Sequence, residues 1–231
     1  MIGIIGAMES EVAQLTERME QVQIVSGAGM KFYQGVLAGK EVVVVQCGVG
    51  KVNAALCTQF LADKFQVTAI INTGIAGSLQ AEINIGDIVL SEEAVYHDFD
   101  TQIFGYALGE VPGMGRLAFP ADEHLVELAK SCCLKANPDI QVFTGRVVSG
   151  DQFIMSREKK NWIKEQFDGC CTEMEGAAIA HGAWRNEIPF LIIRAISDKA
   201  DDSANMTMDE FEPLAIRHTV NLLMELLPQM S

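Results

Sequence analysis

Pro189-Phe190-Leu191-Ile192-Ile193-Arg194-Ala195-Ile196-Ser197-Asp198 is the stretch that decides the fold. After the proline comes an unbroken apolar run with two β-branched isoleucines. That is the length and composition of a strand buried on both faces of a parallel sheet. The run then breaks off into Arg194, Ser197 and Asp198. In open α/β sheets ligands bind beyond the carboxyl ends of the strands, so this polar tip stands where chemistry belongs. An ordinary structural reading competes with it: Asp198 caps a following turn and Arg194 pairs with a surface carboxylate.

The same pattern recurs outward from this strand. Residues 2–7 are a short apolar strand punctuated by glycines, and 41–46, 69–72, 86–91 and 142–149 read as further strands. A hairpin-like turn, Leu37-Ala38-Gly39-Lys40, precedes the second of these. Val12, Leu15 and Met19 recur at spacings of three and four, which predicts a helix over 9–20. Helices are also expected over 52–64, 122–134 and 156–167, and over 173–184, where Ala and Gly suit a tightly packed buried helix. Thr73 to Ser78 reads as a small-residue loop. Thr207-Met208-Asp209-Glu210 has the form of a capping box opening the last helix, with Pro213 forcing either a kink or a start nearer Glu212.

Between Tyr96 and Phe119 periodicity gives way to Gly, Pro and aromatics, an excursion whose length suits a functional or intersubunit loop. No repeat, low-complexity tract or linker interrupts the chain. The expectation is a single α/β domain over residues 1–231, built on a twisted mixed sheet flanked by helices.

Composition narrows the function. Hydrophobic residues are 49% and charged ones 21%, enough apolar material for a substantial core. A formal charge of −14 disfavours nucleic acid and anionic membrane surfaces, which need clustered Lys and Arg, and leaves a small neutral or cationic ligand as the expected partner. The six cysteines include the adjacent pairs Cys132-Cys133 and Cys170-Cys171 but no C-x-x-C, so neither a zinc site nor a disulfide framework is indicated. The N-terminus lacks a basic region and meets a carboxylate at Glu9, unlike a signal peptide, and no apolar run approaches the ~20 residues of a membrane span. A cytoplasmic protein is expected.

Familiar loop motifs fail on inspection. Gly48-Val49-Gly50 could open a dinucleotide fingerprint, but Asn53 stands where the third glycine belongs. Lys51 resembles a phosphate-loop lysine, yet Val52 replaces the required Ser or Thr. Tight turns after strands, open to a ligand, explain these glycines better. His97, His124, His181 and His218 show no metal spacing, so no metal or other cofactor is expected. His97-Asp98 with Asp100 is the one near-cluster, and loop hydrogen bonding is the role expected of it.

Four segments taken together carry a resemblance: Gly3-Ile4-Ile5-Gly6-Ala7-Met8-Glu9-Ser10-Glu11; Asn72-Thr73-Gly74-Ile75-Ala76-Gly77; Val148-Ser149-Gly150-Asp151-Gln152-Phe153-Ile154 with Glu173-Met174-Glu175; and Arg194-Ala195-Ile196-Ser197-Asp198. In this order and over the full length, the chain resembles the bacterial 5′-methylthioadenosine/S-adenosylhomocysteine nucleosidases of the nucleoside phosphorylase fold group. The resemblance implies hydrolysis of the bond between adenine and a 5′-thio-substituted ribose. Such cleavage puts positive charge on the sugar and negative charge on the departing purine, so it calls for an acid on one side and a base for water on the other.

By the match, Asp198 is the acid at the purine N7, with Ser197 holding it, and Glu11 is the base; read without the match, Glu11 is a first-turn helix carboxylate. Glu175 is the implied acceptor of the ribose hydroxyls. Phe153 stacks on adenine and the Ile154 backbone reads its edge. Met8, Val49, Met174 and Met208 match positions enclosing the 5′-alkylthio group, and Thr101, Phe104 and Pro112 match positions offered to the pocket of a neighbouring subunit, so a homodimer is expected. Ile75 stands where some relatives carry Ser, leaving backbone contacts around Ala76 and Gly77. Met208 replaces an aromatic and Thr101 an apolar residue, departures that bear on the 5′ substituent. Arg194 is expected to orient the carboxylates or the water. Three other readings compete: a phosphate-dependent nucleoside phosphorylase, a nucleosidase for a futalosine-type substrate, and a non-catalytic adenine-nucleoside-binding module. Glu9 and Glu11 in the first loop, where a phosphate site would want cations, favour water over phosphate.

Overall fold

The computed structural model describes residues 1–201 and 204–230, the last helix being described at 205–207 by its backbone alone. In chain order the elements are β1 (Ile2–Gly6), α1 (Glu9–Thr16), β2 (Glu20–Gly27), β3 (Met30–Leu37), β4 (Lys40–Gln46), α2 (Lys51–Phe60), β5 (Ala69–Ser78), β6 (Ile88–Tyr96), β7 (Phe119–Pro120), α3 (Glu123–Ala136), β8 (Val142–Ser149), α4 (Arg157–Phe167), β9 (Cys171–Glu173), α5 (Gly176–Arg185), β10 (Phe190–Asp198) and α6 (Ala204–Leu226).

β5 is the trunk of the sheet and is buried at every position. Parallel β1 lies on one side of it and parallel β10 on the other. From β1 the sheet continues through β4, β3 and β2. From β10 it turns antiparallel onto β6, then runs parallel through β8 and β9, and β9 returns antiparallel to the end of β5 at Gly77 and Ser78. Strands β5, β10, β6, β8 and β9 therefore close on one another. The carboxyl ends of β1, β5 and β10 point the same way because all three are parallel, and that shared end is where the loops can meet.

The opening stretch is the strand it promises to be, since Phe190 to Asp198 is buried at all nine positions. Helices cover the sheet, with α6 against β10 and α3, α2 against α5, and α1 against β4. Capping chemistry sets two helix starts: the Asp122 carboxylate accepts from Leu125 N at 2.9 Å and the Ser156 hydroxyl from Lys159 N at 3.1 Å. No described helix is long and apolar enough to cross a membrane.

Several boundaries differ from expectation. The run Thr73 to Ser78 is strand, not loop, because β10 pairs along it from Thr73 to Gly77 and β9 pairs with Gly77 and Ser78. The first helix stops at Thr16, and Glu20, where it was expected to end, opens the exposed strand β2. Glu173 closes β9 and Glu175 caps α5, so the buried helix starts at Gly176, later than its Ala/Gly content suggests. The last helix opens at Ala204, ahead of Thr207, and passes through Pro213; the Thr207 side chain of the expected capping box lies outside the described residues.

Candidate active site

A cavity of about 300 Å³ opens at the shared carboxyl ends of β1, β5 and β10. Ile75, Gly77, Arg194, Ser197 and Asp198 line it from β5 and β10, Glu11 lines it from α1, and Met8, Val49, Phe153, Met174, Glu175 and Met208 are among its other lining residues. The chain thus brings together residues from seven separate segments.

Glu11 reaches the cavity from the first turn of α1. Its Oε2 accepts from Ala7 N at 2.7 Å and Met8 N at 2.9 Å, and its Oε1 accepts from Ile75 N at 3.1 Å. The carboxylate is only 2% exposed, which removes the reading of a solvated first-turn residue. Burial raises its pKa, and the Arg194 charge and three backbone donors pull the other way without cancelling the rise. Raised basicity in a held orientation suits a group that takes a proton. Gly74 makes the approach workable, because a methyl group there would overlap both Glu11 Oε1 and Arg194 Nη1.

Arg194 is 1% exposed and sits among three carboxylates. Its Nη2 meets Glu173 Oε2, donates to Asn72 Oδ1 at 2.6 Å and lies 3.6 Å from Glu175 Oε2; Nη1 donates to Ile75 O at 3.3 Å. The expectation of a surface pair is overturned, since strand β10 is covered on both faces and the guanidinium cannot reach water. Burial works to lower its pKa, but Glu173, Glu175 and Glu11 outweigh it and hold the proton on. One cation cannot satisfy three anions. The imbalance falls on Glu175, whose pKa is raised to about 7 by burial and then by Glu173, against the opposing pull of Arg194 and the Gly50 N–H. Gly50 N donates to Glu175 Oε1 at 2.8 Å.

Asp198 is reached through a β-bulge. Ile196 pairs with Ala76 and Asp198 with Gly77, so Ser197 is the extra residue. The bulge turns both side chains toward the cavity. Asp198 Oδ2 accepts from Ser197 Oγ at 2.9 Å and Oδ1 from Ala200 N at 2.7 Å. The turn-capping role is therefore real, and it holds the carboxyl in place within the cavity wall. Burial raises the Asp198 pKa; the hydrogen bonds from Ala200 and Ser197 oppose this without reversing it. A carboxyl so placed retains its proton further up the pH scale than a free aspartate, as a proton donor must.

Not every expected residue meets the cavity. Ile154 is buried beside it, lining a smaller adjoining space of about 30 Å³ with Phe153. Thr101, Phe104 and Pro112 lie in the irregular segment between β6 and β7 and do not line it. Two residues went unassigned by sequence reasoning. Glu173 meets both Arg194 and the Ser149 hydroxyl and accepts from Glu175 N at 3.1 Å and Gly176 N at 2.8 Å, so it fixes the start of α5. Thr172, on β9, also lines the cavity. The Glu-Met-Glu spacing was the available signal for Glu173, since alternate strand-like residues share a face.

Comparison with known proteins follows the same lines. The family model of the phosphorylase superfamily matches residues 1–228. A 5′-methylthioadenosine/S-adenosylhomocysteine nucleosidase of Staphylococcus carnosus is 43% identical over 98% of this chain and 99% of its own length. The crystal structure of the Neisseria meningitidis 5′-methylthioadenosine/S-adenosylhomocysteine nucleosidase in complex with methylthio-immucillin-A superposes with a TM-score of 0.95 at 40% identity, covering 99% of each chain. The futalosine hydrolase of Helicobacter pylori is similar at 31% identity, with a TM-score of 0.93 over 99% of this chain and 97% of that one.

The pKa of Glu175 stands above its ordinary 4.5, so the stability its protonated form gives the fold is fully present below that value and is lost as pH rises through about 7. Glu175→Gln keeps the shape and cannot ionise. Between about pH 4.5 and about pH 7 the wild-type Tm should therefore fall by several degrees relative to the variant. Parallel pH profiles by calorimetry would refute the assignment.

Proposed function

The chain belongs to the phosphorylase superfamily and, within it, to the 5′-methylthioadenosine/S-adenosylhomocysteine nucleosidases, and from that membership we infer what its cavity does. It is an N-glycosyl hydrolase that splits 5′-methylthioadenosine and S-adenosylhomocysteine into adenine and the 5′-thio-substituted ribose. The observation that carries the residue roles is that two buried carboxyls of raised pKa, Glu11 and Asp198, face one cavity from separate anchors on β5. Glu11 is held at Ile75 and Asp198 stands opposite Gly77, two positions along the strand and so about 7 Å apart in rise. That spacing leaves room for a sugar and a water between an acid and a base.

In the proposed mechanism Asp198 delivers its proton to N7 of adenine while the C1′–N9 bond breaks and its electrons pass to the base. Glu11 takes a proton from the water whose oxygen bonds C1′. Glu175 accepts the ribose hydroxyls, and with Glu11 it supplies negative charge for the cationic sugar of the transition state. Phe153, 42% exposed at the cavity edge, stacks on adenine beside the Ile154 backbone. Met8, Val49, Ile75, Met174 and Met208 enclose the thioether, a soft apolar group that suits sulfur-bearing side chains. Arg194 keeps Glu11 and Glu175 oriented. Water is the acceptor because the one cation of the site is already engaged by carboxylates, leaving no convergent donors for phosphate.

Phe104 is 76% exposed and its neighbour Ile103 89%, on a segment with no regular structure of its own beyond a short 3₁₀ turn. An exposed aromatic of this kind suits the pocket of a second copy, so the working form is a homodimer to which Thr101, Phe104 and Pro112 contribute. All six cysteines are free thiols, as a cytoplasmic location requires.

Three outcomes are expected. In phosphate-free buffer the enzyme releases adenine from 5′-methylthioadenosine; Asp198→Asn and Glu11→Gln each lower kcat at least ~100-fold while ligand affinity changes far less, and a strict need for phosphate would exclude the hydrolase reading. Gly74→Ala, by displacing Glu11 and Arg194 together, lowers kcat/KM on the order of 100-fold; an unaffected rate would show that the close approach is dispensable. Phe104→Ala raises KM several-fold in a dimer that scattering or sedimentation still detects, the loss of one aromatic contact being worth about 1 kcal/mol; an unchanged KM would remove Phe104 from the site.

A further inference from the structure

Lys51 is the first residue of α2, where a cation faces the positive end of the helix dipole. Its surroundings compensate. Lys51 Nζ donates to both oxygens of Asp98, at 2.6 and 2.7 Å, and lies 3.7 Å from Asp151 Oδ2 and 5.5 Å from the centre of the Tyr96 ring. The lysine and Asp98 side chains are each only about a fifth exposed. The backbone follows the same geometry: Asp151 Oδ1 accepts from Lys51 N at 2.8 Å, and Asp98 Oδ2 accepts from Asp151 N at 2.9 Å. Three segments, the ends of β6 and β8 and the start of α2, are thus tied at one ammonium. Burial acts to raise the Asp98 pKa, but the lysine and the Asp151 N–H overcome it and hold the carboxyl below its ordinary value.

What the tie joins matters more than its strength. On one side of Lys51 is Gly50, whose N–H holds Glu175, the proposed ribose acceptor. On the other side of Asp151 are Gln152 and Phe153, the proposed purine platform. Lys51 does not line the cavity. We propose that Lys51 is a positioning residue that, through Asp98 and Asp151, fixes the separation between the ribose-holding and purine-holding loops. The inference rests on the nucleosidase reading and adds to it two residues, Lys51 and Asp98, that neither the cavity lining nor the matched motifs contain. Without the ammonium, the carboxylates of Asp98 and Asp151, at 2.6 and 3.7 Å from it, lose the charge they share, and the two loops separate.

A ligand that spans both loops should feel this loss, and one that fills only the purine half should not. Calorimetric titration of wild type, Lys51→Met and Lys51→Arg is made with adenine and with a C-nucleoside analogue of 5′-methylthioadenosine, whose glycosidic carbon–carbon bond resists cleavage. Lys51→Met should weaken the analogue about 10-fold or more and adenine less than about 3-fold, with KM rising alongside and kcat held within about 3-fold, and Lys51→Arg should recover most of the loss. If Lys51→Met does not fold, Asp98→Asn takes its place in the same comparison. Equal weakening of both ligands, or of neither, overturns the positioning role. A wild type that binds neither ligand would instead fell the nucleosidase reading and this inference with it, so the two failures are distinguishable.

Discussion

A guanidinium with almost no contact with water organises this molecule. Arg194 stands in the middle of strand β10, and the acceptors around it come from three other elements: Asn72 and Ile75 from β5, Glu173 from β9, Glu175 at the start of α5. Removing one partner of such a buried arrangement costs about 3–5 kcal/mol, because the charge left behind cannot be hydrated. The arrangement therefore demands that four segments stay in register. It also leaves the site with excess negative charge, which is the condition a reaction through a cationic sugar needs. The imbalance serves the chemistry at a cost in stability, and Glu175 carries it as a raised pKa.

The trunk strand shows why the carboxyls could be placed so closely. β10 pairs along one edge of β5, while on the other β1 pairs only as far as Asn72 and β9 joins at Gly77, and the run Thr73-Gly74-Ile75-Ala76-Gly77-Ser78 is almost free of bulk. Gly74 leaves room for Glu11 and Arg194, and Gly77 for Asp198, whose Oδ1 would be 2.7 Å from a methyl carbon placed there. The bulge at Ser197 then brings the acid to the cavity without breaking β10 from its neighbours. Small residues here are the negative image of the proposed catalytic side chains.

Much of this was legible in the sequence, and the rest was hidden for physical reasons. The apolar strands declared themselves because burial on both faces leaves no polar position to interrupt the run, as in Val42 to Val45 and Leu191 to Ile193. Thr73 to Ser78 did not, since a strand made of Gly, Ala, Ser and Thr has loop composition and only its paired neighbours make it a strand. The exposed edge strand β2 was invisible for the opposite reason: its side chains face water and carry no pattern. Glu11, Glu175 and Asp198 could be named from motifs, yet Arg194 could not be given its partners, because Glu173 lies 21 residues away and Asn72 lies 122 away. Charge pairing across a sheet leaves no periodicity in the chain. Lys51 was noticed as a failed phosphate loop, and its actual partners, Asp98 and Asp151, lie just past the ends of β6 and β8, which only folding brings near.

The departures from the family pattern can now be placed. Ile75 lacks the hydroxyl of some relatives, but the atom of Ile75 that touches Glu11 is its backbone N–H, which any residue supplies. The proposed base is therefore indifferent to the substitution, and its effect is confined to the side chain's own place in the cavity wall. There Ile75 joins Met8, Met174 and Met208, making that part of the lining apolar. A thioether gains from such a wall, whereas a 5′ group carrying polar atoms would have to bury them without partners, at a cost of about 1–3 kcal/mol each. Methylthio is thus the substituent this wall accommodates best. A longer or more polar 5′ group has to leave through the mouth of the cavity, where, in the proposed homodimer, the segment between β6 and β7 of the second copy would meet it.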